Sequence, residues 1–203
     1  MENNQVTIVG MISSKCVYDH MAHSEAFYRM EVSISRISGK VDVIPVLISE
    51  RLFDVSEDLC GCLVRVTGEY RSYNQLDGEK IRVKLNVFCQ EIDLVDREDA
   101  SENNHVYLDG YICKPPTYRK TPLGREITDL LIAVNRQYSK SDYIPCIAWG
   151  RTARWAEGLD VGTRVQLYGR IASRGYIKKI SEDECEQRVA YEVSVSEIID
   201  VRG

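Results

Sequence analysis

Asn4-Gln-Val-Thr-Ile-Val-Gly-Met-Ile12 returns one hundred residues later as Asn104-His-Val-Tyr-Leu-Asp-Gly-Tyr-Ile112. The same offset holds at Ile34-Ser-Arg36 against Val134-Asn-Arg136, and at Asp42, Ile44 and Pro45 against Asp142, Ile144 and Pro145. With one residue added, Val64-Arg-Val-Thr-Gly68 matches Val165-Gln-Leu-Tyr-Gly169; with a few more, Glu91-Ile92 matches Glu197-Ile198. Ordered matches whose offset changes only between blocks are what loop insertions leave in a duplicated domain. The 203 residues therefore read as two domains of about 100 residues, 1–95 and 105–203. The linker is 96–104, Asp-Arg-Glu-Asp-Ala-Ser-Glu-Asn-Asn, which is polar and lacks apolar periodicity.

Each copy is mostly strand. Val6, Ile8, Gly10 and Ile12 fall at every second position, as do Met30, Val32 and Ile34 and, in the second copy, Leu130, Ile132 and Val134. The same period of two returns at Val64 and Val66, at Ile81, Val83 and Leu85, and at Val189, Tyr191, Val193 and Val195. That period marks half-buried strands. One helical candidate per copy interrupts it, at 50–59 and at 152–159. The order is three strands, a helix, then two strands. This predicts an all-β chain of two tandem OB-folds, each a five-stranded Greek-key barrel with one short helix between strands 3 and 4.

The net charge of −5 hides an uneven distribution. Residues 1–100 carry 11 Lys and Arg against 17 Asp and Glu, a net of −6, whereas 111–179 carry 13 against 5, a net of +8. The late acids cluster at Glu182, Asp183, Glu184 and Glu186. A concentrated basic stretch matters more to a polyanionic partner than the chain total. Seven scattered cysteines include no Cys-x-x-Cys pair, and His20 and His23 have no cysteine beside them, so no metal or cofactor is expected. Nor is there a Gly-rich phosphate loop, a nucleophile elbow or a His-paired cysteine, so no catalysis is expected. No apolar run spans a bilayer and Met1–Gln5 is not a secretory signal, so a cytoplasmic location without membrane contact is expected.

The second half resembles the bacterial single-stranded DNA-binding protein family. The resemblance rests on Val106-Tyr-Leu-Asp-Gly110, Pro116-Thr-Tyr-Arg119-Lys-Thr121-Pro-Leu-Gly124, Ile132-Ala-Val-Asn-Arg136, Tyr143-Ile-Pro-Cys-Ile-Ala-Trp149-Gly150 and Gly169-Arg170-Ile171. It implies sequence-tolerant binding of single-stranded DNA in replication, recombination or repair, with bases stacked on aromatics and phosphates held by cations. RNA stays open as a partner, since nothing in the motif reads a 2′-hydroxyl. The family's stacking positions fall on Tyr138, Tyr143, Trp149 and Tyr176. Cationic partners are expected at Arg119, Lys120, Arg125, Arg136, Arg151, Arg154, Arg170, Arg174, Lys178 and Lys179. Trp155, on the helix, is expected to pack in the core.

The same alignment finds the first copy degenerate. Ser38, Val43 and Ser49 stand where the second copy has Tyr138, Tyr143 and Trp149, and Val17–Glu25 carries no basic residue. That copy is expected to serve assembly or partner binding, with Tyr70, Arg71, Tyr73, Lys80, Arg82 and Lys84 at most on the rim of a strand's path. By the same resemblance four folds gather in one assembly, so two-fold chains should pair as a homodimer. The sequence ends at Asp200-Val-Arg-Gly203, directly after the last strand, so recruitment of other enzymes through the family's acidic tail is not expected. The competing reading is an OB-fold adaptor, primosome-like, that binds a replication protein and little DNA.

Overall fold

A computed structural model describes residues 3–54, 56–77, 80–96, 103–179 and 185–201. The first copy holds β1 (Asn4–Ile12), β2 (Val17–Ala22), β3 (Glu25–Ser35), β4 (Val41–Ser49), β5 (Leu63–Asp77) and β6 (Lys80–Leu94). The second repeats them as β7 (Asn104–Ile112), β8 (Thr117–Lys120), β9 (Glu126–Asn135), β10 (Ser141–Trp149), β11 (Arg164–Lys179) and β12 (Cys185–Asp200), with α1 (Gly150–Ala156) after β10. Both copies have the strand order of the OB-fold. Residues 97–102 of the expected linker, and Glu182, Asp183 and Glu184, lie outside the described residues.

Most of the alternating residues form the cores as expected, but Val83 and Val189 are exposed on the β5–β6 and β11–β12 hairpins. Val6, Ile8, Ile12, Met30, Val32, Ile34 and their counterparts Val106, Leu108, Ile112, Leu130, Ile132 and Val134 are buried. Each barrel closes where its first strand crosses onto the next long strand, Ile12 opposite Val32 and Ile112 opposite Ile132. A side chain at Gly10 would strike the carbonyl of Ser33, and one at Gly110 that of Ala133. The repeated glycines thus mark close approaches of backbone rather than turns.

Each barrel closes through five strands, as expected, in the order β1-β3-β4-β6-β5 and β7-β9-β10-β12-β11, while β2 and β8 are short edge ribbons that pair only with β3 and β9. These ribbons bury neither face, so they leave no alternation to read. Both helix expectations need correction. The first copy forms no helix among the described residues of 50–59. Side chains compete for the backbone there: Asp54 Oδ1 accepts from Ser56 N (3.0 Å) and Oγ (2.6 Å), and Asp58 Oδ1 accepts from Cys60 N (3.2 Å). Such local bonds favour turns over helix. In the second copy the helix comes earlier than expected, at Gly150–Ala156, after Gly150 takes a φ of 56° that suits a glycine.

One twelve-stranded sheet runs through both copies, joined by β1 and β7. They pair antiparallel with Val6 opposite Val106 at the centre, Asn4 opposite Leu108 and Ile8 opposite Asn104, so a pseudo-two-fold axis passes through the valine pair. Asn3 Nδ2 donates to Asn135 O (2.6 Å) and Asn103 Nδ2 to Ser35 O (2.8 Å), a symmetric exchange across it. The β5–β6 and β11–β12 hairpins extend beyond their own barrels as arms and cross onto the opposite copy. There each arm meets a fully buried aspartate. Asp42 Oδ1 accepts from Ser173 N (2.6 Å) and Oγ (2.9 Å); Asp142 Oδ1 accepts from Ser72 N (2.6 Å) and Oγ (3.3 Å).

The two aspartates differ in countercharge. Arg36 grips Asp42 through both Nε (2.6 Å) and Nη2, and Arg170 Nη1 approaches at 3.4 Å. Arg136 Nε lies 2.9 Å from Asp142 Oδ2, but its N–H makes no hydrogen bond there. Burial acts to raise the Asp42 carboxyl, yet the bonds from Arg36 and Ser173 outweigh it and hold it below the usual range. At Asp142 burial wins and pushes the carboxyl up. Ionised Asp42 therefore adds stability that is lost as pH falls through its depressed folded value. Ionisation of Asp142 instead costs stability as pH rises from the ordinary carboxylate value to its raised one. Breaking a buried ion pair costs about 3–5 kcal/mol. Asp42→Asn should lose stability of that order and Asp142→Asn clearly less, measured by denaturant midpoints at neutral pH; equal losses would contradict this asymmetry.

Candidate nucleic-acid interface

Odd-numbered residues of β10 point away from the barrel core, and they carry the aromatics. Tyr143 and Trp149 lie on this outer face of β10, with half-buried Pro145 and buried Ile147 between them. Six residues of extended chain separate the rings by about 20 Å along the strand. Trp149 is 38% exposed, and its Nε1 donates to Ser194 Oγ (3.1 Å) on β12, which fixes the ring across the neighbouring strand. Tyr143 is 48% exposed.

Tyr138 stands in the 3-10 turn Gln137–Ser139 between β9 and β10. Its φ is 60°, the left-handed region, and its ring is 91% exposed. The first copy makes the same loop, Arg36 N donating to Lys40 O as Arg136 N donates to Lys140 O. There the left-handed residue is Gly39, at φ 78°, one position after the Ser38 that aligns with Tyr138. A tyrosine held in this region costs roughly 1–3 kcal/mol, and such strain gathers at functional positions. Tyr176 lies on the outer part of the β11–β12 arm opposite Arg188, 37% exposed.

The cations divide into three groups. Arg119, on β8, is on the aromatic face, opposite Ile127, itself the partner of Trp149. It is held by Asp129 (Nε–Oδ2 2.5 Å, Nη2–Oδ1 3.0 Å). Arg174 belongs with it, since it and Arg119 both bear on Glu192, whose burial pushes its carboxyl up. Lys178 and Lys179 continue along the exposed arm, and exposed Arg125 sits in the turn closed by Thr121 N donating to Arg125 O (2.8 Å). The second group gathers near α1: Arg154 Nε donates to Glu126 Oε2 (2.8 Å), Lys120 is opposite Glu126, and Arg151 is exposed on the helix. The third is structural. Arg136 and Arg170 are engaged by buried Asp142 and Asp42, so the geometry assigns them to the joint between the copies. Asp129, Glu192 and Ser194 were not singled out from the sequence, because only the pairing of β9 and β12 with β10 brings them to this face. Trp155, expected in the core, is 45% exposed, since the short helix buries only Ala153 and Ala156.

The matching face of the first copy is closed. Ser49 replaces Trp149, and the aromatic lies one strand over at Phe27, opposite Ser49. His20 stacks on Phe27 (centroids 5.1 Å, 11°), Phe27 meets Phe88 (5.9 Å), and the Arg71 guanidinium lies 3.6 Å over Phe88. Arg29 pairs with Asp19, Arg51 with Glu25 and Arg71 with Glu69. Rings and cations there are occupied by one another. Tyr70 is fully buried and thus removed from any rim, and the side chain of Lys80 lies outside the described residues. Among the described residues no group of three or more His, Cys, Asp or Glu is placed to hold a metal ion, and no helix is long and apolar enough to cross a membrane.

Residues 103–199 match the model of the single-strand binding protein family. Single-stranded DNA-binding protein 2 of Listeria innocua is 32% identical over 103 residues, which is 47% of this chain and 62% of that protein. Single-stranded DNA-binding protein A of Bacillus subtilis is 33% identical over 93 residues, 42% of this chain and 51% of that protein. The chain thus spans less than two thirds of the length of these curated relatives. The crystal structure of the wild-type single-stranded DNA binding protein from Thermus aquaticus superposes with a TM-score of 0.74 at 23% identity, covering 98% of this chain and 94% of that one. At that identity the likeness is one of fold, and it extends over both copies.

The left-handed tyrosine yields a stability test. Tyr138→Gly relieves the backbone strain but adds freedom to the unfolded chain, which offsets about 0.4–1 kcal/mol of the gain. The variant should be as stable as the parent or more stable by up to about 2.5 kcal/mol, read from thermal and urea unfolding. A loss of stability would mean that the Tyr138 ring is part of the packing.

Proposed function

We propose, on the match of residues 103–199 to the single-strand binding protein family, that the chain binds single-stranded DNA without sequence preference and without catalysis. One observation carries the reading: Tyr138, Tyr143 and Trp149 present partly free rings along one side of a basic barrel, while the sister face is closed. Bases stack on these rings and on Tyr176, at about 1–3 kcal/mol per base. Arg119, Arg174, Lys178, Lys179 and Arg125 hold the phosphates, and Lys120, Arg151 and Arg154 extend the field around the helix. Arg119 must exchange Asp129 for phosphate as the strand arrives, so Asp129 keeps the empty face from being over-charged. Every base has a face to stack, and no base edge is read, so all sequences bind alike. The setting is replication, recombination or repair in a bacterial cytoplasm, at the nucleoid.

The test begins with tryptophan fluorescence, since Trp149 and Trp155 both lie in the second copy. Oligo-thymidine should quench it strongly at low salt and less at high salt, because each neutralised phosphate releases counterions. Trp149→Ala with Tyr138→Ala should weaken binding of a labelled oligo-thymidine by at least about 2 kcal/mol, roughly thirtyfold, by the stacking range above. Unchanged affinity in the double variant would remove these rings from the site and favour the adaptor reading.

The assembly is a homodimer in this reading. Met11, Tyr111, Tyr168 and Ile199 are exposed on the outer side of the sheet around β1, β7 and β11, and the Tyr107 and Tyr168 rings lie 5.1 Å apart there. The pseudo-two-fold axis runs through this surface, so a second chain can meet it with like elements. Tyr168→Glu should convert dimers to monomers in sedimentation analysis; a dimer that survives it uses another surface.

A further inference from the structure

A carboxylate stands in the middle of the face that carries the free rings. Glu192 is two residues from Ser194 on β12, with buried Val193 between them, so it shares the outer face with the partner of the Trp149 indole. Ser194 is level with Ile147 of β10, which puts Glu192 level with Pro145, between Tyr143 and Trp149. Asp129 of β9 is opposite Ile147 from the other side. We propose that Glu192 is a proton-linked brake on this face: ionised, it opposes the strand, and it takes up a proton from solvent as the strand binds. The inference rests on the single-strand reading of the second copy.

The two acids are held differently. Asp129 is gripped by Arg119 through two bonds (Nε–Oδ2 2.5 Å, Nη2–Oδ1 3.0 Å). Glu192 makes no hydrogen bond and no ion pair among the described residues. Several elements bring groups to bear on it: Arg174 from β11, Asp129 from β9, Arg119 from β8 and Arg36 from the end of β3. Tyr70 of β5 and Cys146 of β10 face it too, and burial pushes both of these up, so they stay neutral. Burial raises the Glu192 carboxyl and Asp129 adds to this, against the three arginines, and the balance is upward. Arg36 is committed to Asp42, which leaves Arg174 and Arg119 as the cations a strand can claim. Phosphates that take those two withdraw the support of ionised Glu192. Arg119 also releases Asp129, so two carboxylates then stand beside a phosphate backbone. Like charges in a half-buried site disfavour ionisation. Because linkage is reciprocal, a strand that favours the protonated carboxyl is bound more tightly wherever that form is more populated. Affinity therefore rises as pH falls from the carboxyl's value in the complex to its lower value in the free protein.

The experiment compares the full chain with Glu192→Gln, a neutral side chain of the same shape. Each is titrated with oligo-thymidine, whose bases do not ionise in this range, at fixed salt from about pH 8 to about pH 5. A rise of about one unit in the carboxyl's value on binding corresponds to tenfold in affinity. The variant should thus bind about tenfold more tightly than the parent at the alkaline end, and the two should converge at the acid end. Calorimetry in two buffers of different ionisation enthalpy should show proton uptake on binding by the parent and less by the variant. Equal affinities and equal proton uptake at every pH, or weaker binding by the variant, would overturn the brake; tryptophan quenching in both chains would leave the primary site standing. Absence of quenching in the unaltered chain would overturn both.

Discussion

The architecture depends on two buried aspartates that each arm of one copy must reach in the other. Asp42 takes the backbone and hydroxyl of Ser173, and Asp142 takes those of Ser72. A carboxylate removed from water is costly unless donors surround it. Neither barrel can satisfy its aspartate alone, so the copies are committed to each other. The β1–β7 pairing sets their register, and the aspartates fix how the arms lie. That in turn places Tyr176 beside the first copy and engages Arg136 and Arg170 in the joint.

Duplication freed one copy to change. Both retain the glycines at the crossings and the aspartates at the joint, which the fold requires. They differ on the outer face, where packing demands little. The first copy has Ser49 where the second has Trp149, and its aromatic on that face is Phe27, covered by His20. The second carries its large rings on β10 and in the turn before it, and that turn puts its left-handed residue at Tyr138, whereas the first copy's turn puts it at Gly39, which bears no strain there. A strained exposed tyrosine contributes little to packing.

Charge follows the same division. Arginines of the first copy's face are each matched by a nearby carboxylate, whereas the second copy carries an excess of cations across residues 111–179. The asymmetry gives the molecule one attractive side for a polyanion within a chain of net charge −5.

Much of this was legible in the residues alone. The hundred-residue repeat gave two domains, the alternation gave the core from Val6 to Val195, and the motif around Pro116 and Trp149 gave the family's likeness. These are local signals, fixed by the period of a half-buried strand and by residue type. The helix near 50 was misjudged because Asp54 and Asp58 bond their own backbone, a competition that apolar spacing does not register. Arg136 and Arg170 looked like any other cations of a basic stretch. Only the tertiary structure separated them from Arg119 and Arg174, because a guanidinium is drawn into the joint or left on the outer face according to which carboxylate lies beside it. That neighbour comes from a strand more than a hundred residues away in the case of Arg170 and Asp42, and distance along the chain carries no record of it.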